Sequence, residues 1–501
     1  MFDNTYSKIY PSSRSVFIEE AERNLVLILK DKTDGIFKAG FDLLVEVAID
    51  NLHEVVKELK ENPELKVNSF QSVATYERDN KVFVLTGLSS ALKGFSVLLR
   101  TKISNSDKER DYFQIIDILR KFYKAAGSYG NSNKKDNVSP DIKIPAGMLD
   151  GLDCFDLNIY SDGDVINEAL IDISVSRVVD GSYYKNLEIH NLISYVSRFD
   201  WKAGIFPEVC LCSAFEGLLQ LKIPDRAGYI RMLLCELSRI SNHIYFISNI
   251  CNILQLDVAL NLSLLERERV LRIIETITGS RINPNFIRIG GVREDIGEEA
   301  LVSVRKALPV LFKNLRLIEK MITGDLTVIE RLKDIGVVSK ELALEYGVSG
   351  PNLRASGARY DLRRDGDFIF YKDLSFKIPV GRAGDCLDRV VIRFSEIFQS
   401  LKLLNQITGK FPEGEYIKKI NMFHLGFQKA MISYGIECPH GLFKIFMEVG
   451  GKKVESMVVT GPSLNSLVLG EQILKGNNIE DIEIILMSMD ISPGEIMIAG
   501  V

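Results

Sequence analysis

The chain has little of several things that would declare a function. No apolar run reaches the 18 or so residues a membrane span needs, and no charged segment followed by an apolar core marks a signal peptide at Met1–Lys8. Its seven cysteines are odd in number and irregular in spacing, which excludes a disulfide framework and points to a reducing compartment. Basic residues are not in excess: the net charge is −5, which argues against a nucleic-acid footprint. There is no Walker motif, zincin motif, nucleophile elbow or dinucleotide fingerprint, and no internal repeat. The five histidines (53, 190, 243, 424, 440) are scattered, with no metal or triad spacing. Cys210-Leu-Cys212 has no second pair at ligand spacing and reads as ordinary buried cysteine.

What is present is a globular composition, 46% hydrophobic and 26% charged over 501 residues, enough for two or three domains. Residues 1–35 read as irregular. Phe41–Ile49, Val82–Leu85 and Phe95–Ile103 read as strands, and Asn51–Leu65 and Asp111–Lys124 as helices. These make a small α+β domain over 1–125. A Gly-, Ser- and Asn-rich stretch, 126–142, is the linker. After it, Asp156–Tyr160 and Val165–Leu170 flank an Asp-Gly turn, a hairpin signal. From about Leu187 the chain becomes helical, with long helices opening at Pro224, Leu260, Glu299 and Asp385. Strands return at Phe443–Val449 and Lys453–Val459, and a last helix spans Glu480–Met489.

The charged residues Arg226, Arg231, Glu236, Arg239 and His243 share one predicted helix, and Glu236 and Arg239 are spaced to pair. Their plain reading is a solvated helix face; the functional reading is a buried charge network beside a cofactor or partner subunit, in which each charge needs its partner. Arg288-Ile-Gly-Gly-Val-Arg293 needs its glycines for a tight turn or a close backbone approach. Asp385 and Asp388 suit a helix N-terminus.

Several blocks together carry a family resemblance. They are Pro224-Asp-Arg-Ala-Gly-Tyr-Ile-Arg231, Glu236-Leu-Ser-Arg-Ile-Ser-Asn-His243, Glu266-Arg-Glu268, Gly279-Ser-Arg281, Asn285 through Asp295, Gly347 through Gly357, Tyr360-Asp-Leu-Arg-Arg364 and Gly384-Asp-Cys-Leu-Asp-Arg389. In that order, over about residues 143–497, they resemble the 49-kDa (D) subunit of NADH:quinone oxidoreductase (complex I), a family related to the large subunit of nickel-iron hydrogenases. The first domain resembles the 30-kDa (C) subunit fused in front, without that subunit's Trp-x-Glu-Arg-Glu signature. The resemblance implies an α+β chain: a small N-terminal α+β domain, then a mainly helical, hydrogenase-large-subunit-like domain (143–501) with peripheral β hairpins.

It also implies a place and a role. The family sits peripherally at the junction with the membrane arm, on the cytoplasmic side of a bacterial inner membrane or the matrix side of a mitochondrial one. Its neighbours are an iron-sulfur cluster-bearing B-type subunit, an I-type subunit and an H-type membrane subunit. Electrons pass from a partner's cluster to quinone, coupled to proton translocation. NADH and the clusters belong to partner subunits, and this chain is expected to bind no cofactor itself.

The positions that hold quinone in the family are altered. The two histidines of its Gly-Pro-Gln-His-Pro-x-x-His-Gly loop fall within Pro145–Asp153, the second on Leu152. The headgroup tyrosine falls on Trp201, the aspartate supporting the histidine on Ile253, and a His-Arg-Gly motif on Arg177-Val-Val179. Near the terminal cluster, Arg198 is kept and a histidine falls on Asn283. Leu152, Trp201 and Ile253 are expected to converge in space. The hydrogenase cysteine pairs would fall near Asp200–Ala203 and Ile491–Gly494, which hold no cysteine. The readings left open are a quinone-site subunit with replacement donors such as Trp201 and Arg177, a catalytically silent paralogue or scaffold, and a metal-free, hydrogenase-related subunit of an ion-translocating complex.

Overall fold

A computed structural model describes residues 13–498, except 30, 41, 79–80, 91–94, 105, 124–125, 127–138, 146–147, 149–153, 174–183, 185–186, 367–369 and 421–426. Most of the expected linker, with Leu152, Arg177 and His424, lies outside the described residues.

The N-terminal part begins with helix α1 (Ser13–Leu29). This corrects the irregular reading of 1–35. Ala21, Leu25 and Leu29 form a buried stripe at four-residue spacing, the pattern that binds a helix to a core. Strands β1 (Gly35–Ala39), β2 (Asp42–Glu46), β3 (Ser69–Arg78), β4 (Lys81–Ser90) and β5 (Phe95–Ile103) form one sheet in the order β1-β2-β5-β4-β3. The β2–β5 pair is parallel and the other pairs are antiparallel. Helices α2 (Leu52–Glu61) and α3 (Lys108–Phe122) pack together. Leu52, Val55, Val56 and Leu59 of α2 and Ile115, Ile116 and Leu119 of α3 are their buried faces.

Strands β6 (Ile142–Ile144), β7 (Asp156–Asp162) and β8 (Val165–Asp172) follow as an antiparallel meander, with the Asp-Gly turn at the expected place. The body is helical: α4 (Ile189–Val196), α5 (Ile205–Leu218), α6 (Asp225–Ile253), α7 (Asp257–Thr278), α8 (Glu298–Thr323), α9 (Leu326–Glu330), α10 (Lys340–Glu345), α11 (Gly350–Ala355), α12 (Leu362–Asp365) and α13 (Cys386–Gly409). A small hairpin, β9 (Ile287–Arg288) and β10 (Gly291–Val292), interrupts them. The chain ends with β11 (Phe427–Glu437), β12 (Leu442–Gly451), β13 (Lys453–Thr460), α14 (Pro462–Leu474), α15 (Ile482–Ser488) and α16 (Pro493–Ile498). The fold is α+β, a small sheet domain followed by a mainly helical part. No described helix is long and apolar enough to cross a membrane.

Helix α6 is buried on every side rather than along one stripe. It packs on α7, α13 and α15, so its polar residues must find partners inside the protein. The hairpin β9–β10 explains the paired glycines. Gly290 and Gly291 both have positive φ, and a Cβ on either would press into the backbone of Tyr416–Lys418. Lys418 N–H donates to the Gly290 carbonyl at 2.9 Å. Asp385 caps α13, its carboxylate accepting from the Asp388 N–H.

The two parts of the chain meet across a polar seam. Asp42 of β2 is fully buried and accepts from Lys444 of β12 at 2.9 Å, from Ser433 of β11, and from Ser96. Arg100 of β5 bridges Glu46 and Glu448, the latter at 2.7 Å. Around these contacts Leu44, Ala74, Tyr76 and Leu98 pack with Phe446 and Val458. At the edge of the seam Gly347 has a positive φ, and a Cβ there would collide with the Phe70 carbonyl.

Candidate functional site: two buried charge clusters and a small pocket

The charged residues of α6 are not a solvated face. Arg231, Glu236, Arg239 and His243 are all buried, which overturns the solvated-face reading and leaves the buried charge network. Arg231 makes a bidentate pair with Glu216 of α5 at 2.8 and 2.6 Å, and its guanidinium also donates to the Arg288 and Gly291 carbonyls of the hairpin. Arg226, at the helix start, is partly exposed and holds Asp295 at 2.7 Å.

Glu236 enters a larger network. It accepts from Tyr371 and Ser400 at 2.6 Å each and pairs with Arg363 at 3.2 Å and Arg239 at 3.5 Å. Arg363 holds Asp361 at 2.7 Å. Arg354 of α11 bridges Glu396 of α13 and Glu437 of β11, at 2.7 Å each. His243 shares a hydrogen bond with Glu396 at 3.1 Å. Burial would raise the Glu236 and Glu396 carboxyls, but Arg363 and Arg239 around the first, and Arg354 and His243 at the second, hold them below the usual range. Burial pushes His243 down to about 4, only partly offset by Glu396, so it is neutral at pH 7. The blocks at 236–243, 347–357 and 360–364 are therefore parts of one charge cluster. Its members need one another, because a buried charge stripped of its partner is strongly destabilising.

A second cluster joins the two segments where the hydrogenase cysteine pairs would fall. Ser492 donates to Asp200 at 2.9 Å, and Lys202 donates to the Ile491 carbonyl at 2.8 Å. His440 lies between two carboxylates, Nε2 at 3.4 Å from Asp200 and Nδ1 at 3.2 Å from Asp490. Lys202 and Arg393 each reach Asp490 at 3.6 Å. Glu495 accepts from the Ser463 N–H at 3.1 Å and from its hydroxyl. Burial alone would lower His440, but Asp490 and Asp200 outweigh it and raise it to about 10, so it is an imidazolium at pH 7. Burial also pushes Asp490 up, yet His440 and Lys202 hold it well below the usual carboxylate range. Glu495, buried and beside Asp200, is pushed up to about 7.

Asp200, His440 and Glu495 bring ligand-capable atoms within 4.8 Å of one another. The scattered positions of the histidines in the sequence give no sign of this group. The group comes together from positions 200, 440 and 495, so no local spacing could reveal it. The donors do not fit a hydrogenase-type nickel-iron centre, whose cysteine pairs have no counterpart among Asp200, His440 and Glu495. The one thiol nearby, Cys438, donates toward Glu495 at 3.9 Å, and burial holds it protonated. Both nitrogens of His440 already face carboxylates, and Lys202 and Arg393 supply further positive charge. Cys210 and Cys212 lie buried in α5 as expected, their thiols pushed up by burial.

The positions carried over from the resemblance lie at a different surface. Trp201 is 39% exposed and packs edge-on against Tyr245 of α6, ring centroids 5.9 Å apart. Arg267 of α7 covers the same tyrosine at 4.6 Å. Trp201 and Asn283 line one small pocket of about 30 Å³ with Lys202, Arg267 and Arg281. Asn283 has a positive φ, which asparagine tolerates, and its buried Oδ1 accepts no hydrogen bond among the described residues. Ile253 ends α6, half-buried, eight residues beyond Tyr245, or about 12 Å along the helix axis. Arg198 is exposed just past α4 and donates to the Ser194 carbonyl at 3.0 Å. It thus satisfies a helix-terminal acceptor.

Comparison with known proteins gives this architecture a family. Residues 259–497 match the family described as "Respiratory-chain NADH dehydrogenase, 49 Kd subunit". The D-type subunits of NADH-quinone oxidoreductase from Bacillus cytotoxicus and Bacillus anthracis are each 32% identical over 363 residues, 72% of this chain and 97% of theirs. Among solved structures, a chain from the membrane-bound sulfane sulfur reductase, an archaeal respiratory membrane complex, matches with a TM-score of 0.68. It is 28% identical, and the match covers 72% of this chain and 99% of that one. The ordered blocks, the helical body around α6 and these relatives agree: the chain belongs to the 49-kDa (D-type) subunit family of NADH:quinone oxidoreductase.

Proposed function

We propose that this chain is the peripheral-arm subunit that scaffolds the quinone-site region of a complex I-type membrane assembly, without donating the side chains that protonate a quinone. Its N-terminal sheet domain is the 30-kDa (C-type) module, joined to the body in one chain. An iron-sulfur cluster-bearing B-type subunit, an I-type subunit and an H-type membrane subunit are its partners. Arg198 faces the cluster-bearing partner.

One observation carries the reading. Trp201, where the resemblance puts the headgroup tyrosine, lies against Tyr245, beside a pocket of about 30 Å³, room for a water or two. An indole N–H can donate a hydrogen bond but has no hydroxyl proton to release. The intact charge clusters are what the scaffold needs in order to fold and dock. A second reading is a metal-free, hydrogenase-related subunit of an ion-translocating complex; the similar solved chain comes from a sulfane sulfur reductase, an archaeal respiratory membrane complex, and not from an NADH:quinone oxidoreductase.

The test is mild-detergent purification of the tagged chain from its native membrane, with partner identification and an NADH:quinone assay on wild type and Trp201→Phe. Cluster-carrying and membrane subunits should co-purify, and Trp201→Phe should leave any quinone reduction unchanged. A fall of about a hundredfold or more, the usual cost of removing a positioned donor, would make Trp201 a donor and overturn the silent role. The absence of such partners would overturn the assembly. The same partners without NADH-dependent activity would favour the second reading.

A further inference from the structure

A cavity of about 250 Å³ lies on the seam between the N-terminal sheet domain and the helical body, and neither Trp201 nor Ile253 is among the described residues that line it. Its walls come from both parts: Ser69 and Phe95 from the N-terminal sheet, and Leu344, Val348, Leu353 and Leu442 from the body. Phe95, Val348 and Leu353 are buried, which gives the cavity an apolar floor. Within this wall the Ser69 hydroxyl is buried and has no hydrogen-bond partner among the described residues. Such a group is costly unless something pairs with it. At the mouth, Lys340 and Arg359 line the cavity and are exposed. Neither makes an ion pair among the described residues. The remaining wall charges, Asp42 and Lys444, neutralise each other at 2.9 Å. The cavity therefore has an apolar floor and, at its opening, two cations without an ion-pair partner among the described residues.

We propose that this cavity binds a small amphiphilic organic anion, a carboxylate with a short aliphatic body. The body lies on Phe95, Val348 and Leu353, and the carboxylate meets Lys340 and Arg359. The volume falls just below the range typical of drug-sized ligands, which sets the size class. Because both parts of the chain supply walls, occupancy holds the seam closed and raises the stability of the whole chain by mass action. This inference does not depend on the proposed function, since it uses none of the quinone-site positions.

Isothermal titration of the full chain with octanoate, and with octanol as its neutral counterpart, tests it. Octanoate should bind at one site and raise the melting temperature, and octanol should bind at least about tenfold more weakly. The double variant K340E/R359E, on exposed positions that leave the fold alone, should weaken octanoate by about tenfold or more and leave octanol unchanged. Leu344→Trp, which fills the cavity, should abolish both; if it does not fold, the charge variant decides. Equal binding of octanoate and octanol, unchanged octanoate binding to the charge variant, or no binding of octanoate would each overturn the proposal.

Discussion

Two buried histidines, His243 and His440, stand in opposite charge states. Both are fully enclosed, and both touch carboxylates. His243 has one, Glu396, which is already claimed by Arg354 at 2.7 Å, and Arg393 and Arg239 lie near enough to oppose a further positive charge. His440 has two, Asp200 and Asp490, one on each ring nitrogen. Burial disfavours the imidazolium in both places. It wins at His243, driving it to about 4, and loses at His440, which rises to about 10. The number of carboxylates against the ring, weighed against the cations beside it, and not the depth of burial, decides whether a histidine is a neutral hydrogen-bonding group or a fixed cation. The first cluster is organised by arginines, with its histidine as a neutral guest. The second is organised around its histidine.

The contrast can be tested from its anchors outward. Arg354→Leu should have the largest effect. It leaves Glu396 and Glu437 without their cation in the interior, a loss of about 3–5 kcal/mol, measurable as a lowered midpoint in urea unfolding. In that variant no arginine has a prior claim on Glu396, so His243 should titrate higher, which NMR of the imidazole would show.

His440→Gln should cost somewhat less, about 3 kcal/mol at pH 6, because Lys202 and Arg393 still face Asp490. The pH dependence tests the sign. A histidine whose folded pKa is raised from 6.5 to about 10 contributes fully below pH 6.5 and loses that contribution as pH rises through 10. The gap between wild type and His440→Gln should therefore narrow from pH 6.5 to 10. A gap that stays constant would mean that His440 is neutral in the fold.

His243→Gln should cost about 1–2 kcal/mol at pH 7, the scale of a buried hydrogen bond, with the opposite pH behaviour. The unfolded chain binds a proton at this position below pH 6.5, whereas the folded chain does so only near 4. Wild type should lose stability relative to the variant as pH falls through that window. Smallest is Glu495→Gln. Its carboxyl is raised from 4.5 to about 7, so its contribution is present below 4.5 and fades as pH rises through 7. The variant should flatten that part of the stability profile, and circular dichroism melts across the range would show it.

Much of the fold is legible in the chain. The buried stripe of α2, the extent of β5, the Asp-Gly hairpin of β7 and β8, the start of α6 at Pro224 and the cap at Asp385 are local. Each follows from periodicity, turn chemistry or capping within a few residues. What escapes is of two kinds. Strands β3 and β11 and helices α14 and α16 carry less distinctive patterns than their neighbours and are fixed by the sheets and helices they join. The charges of α6 read as exposed because a helix rich in arginine and glutamate usually is. Only the arrival of Glu216, Arg363, Glu396 and Glu437 from other elements makes their burial tolerable. Helix α1 escapes the irregular reading of 1–35 although Ala21, Leu25 and Leu29 are spaced for it.

The sequence by itself determined the family, since ordered blocks such as Arg288–Asp295 and Gly384–Arg389 are one-dimensional signals. The tertiary structure alone decided which charges are buried, which partner each has, and therefore which histidine is charged. It alone brought Asp200, His440 and Glu495 together, and it alone opened a cavity between two parts of the chain. The physical reason is that Coulomb and desolvation energies depend on distance and surroundings in space. Residues as far apart in sequence as Asp200 and Glu495 acquire those only when the chain closes on itself.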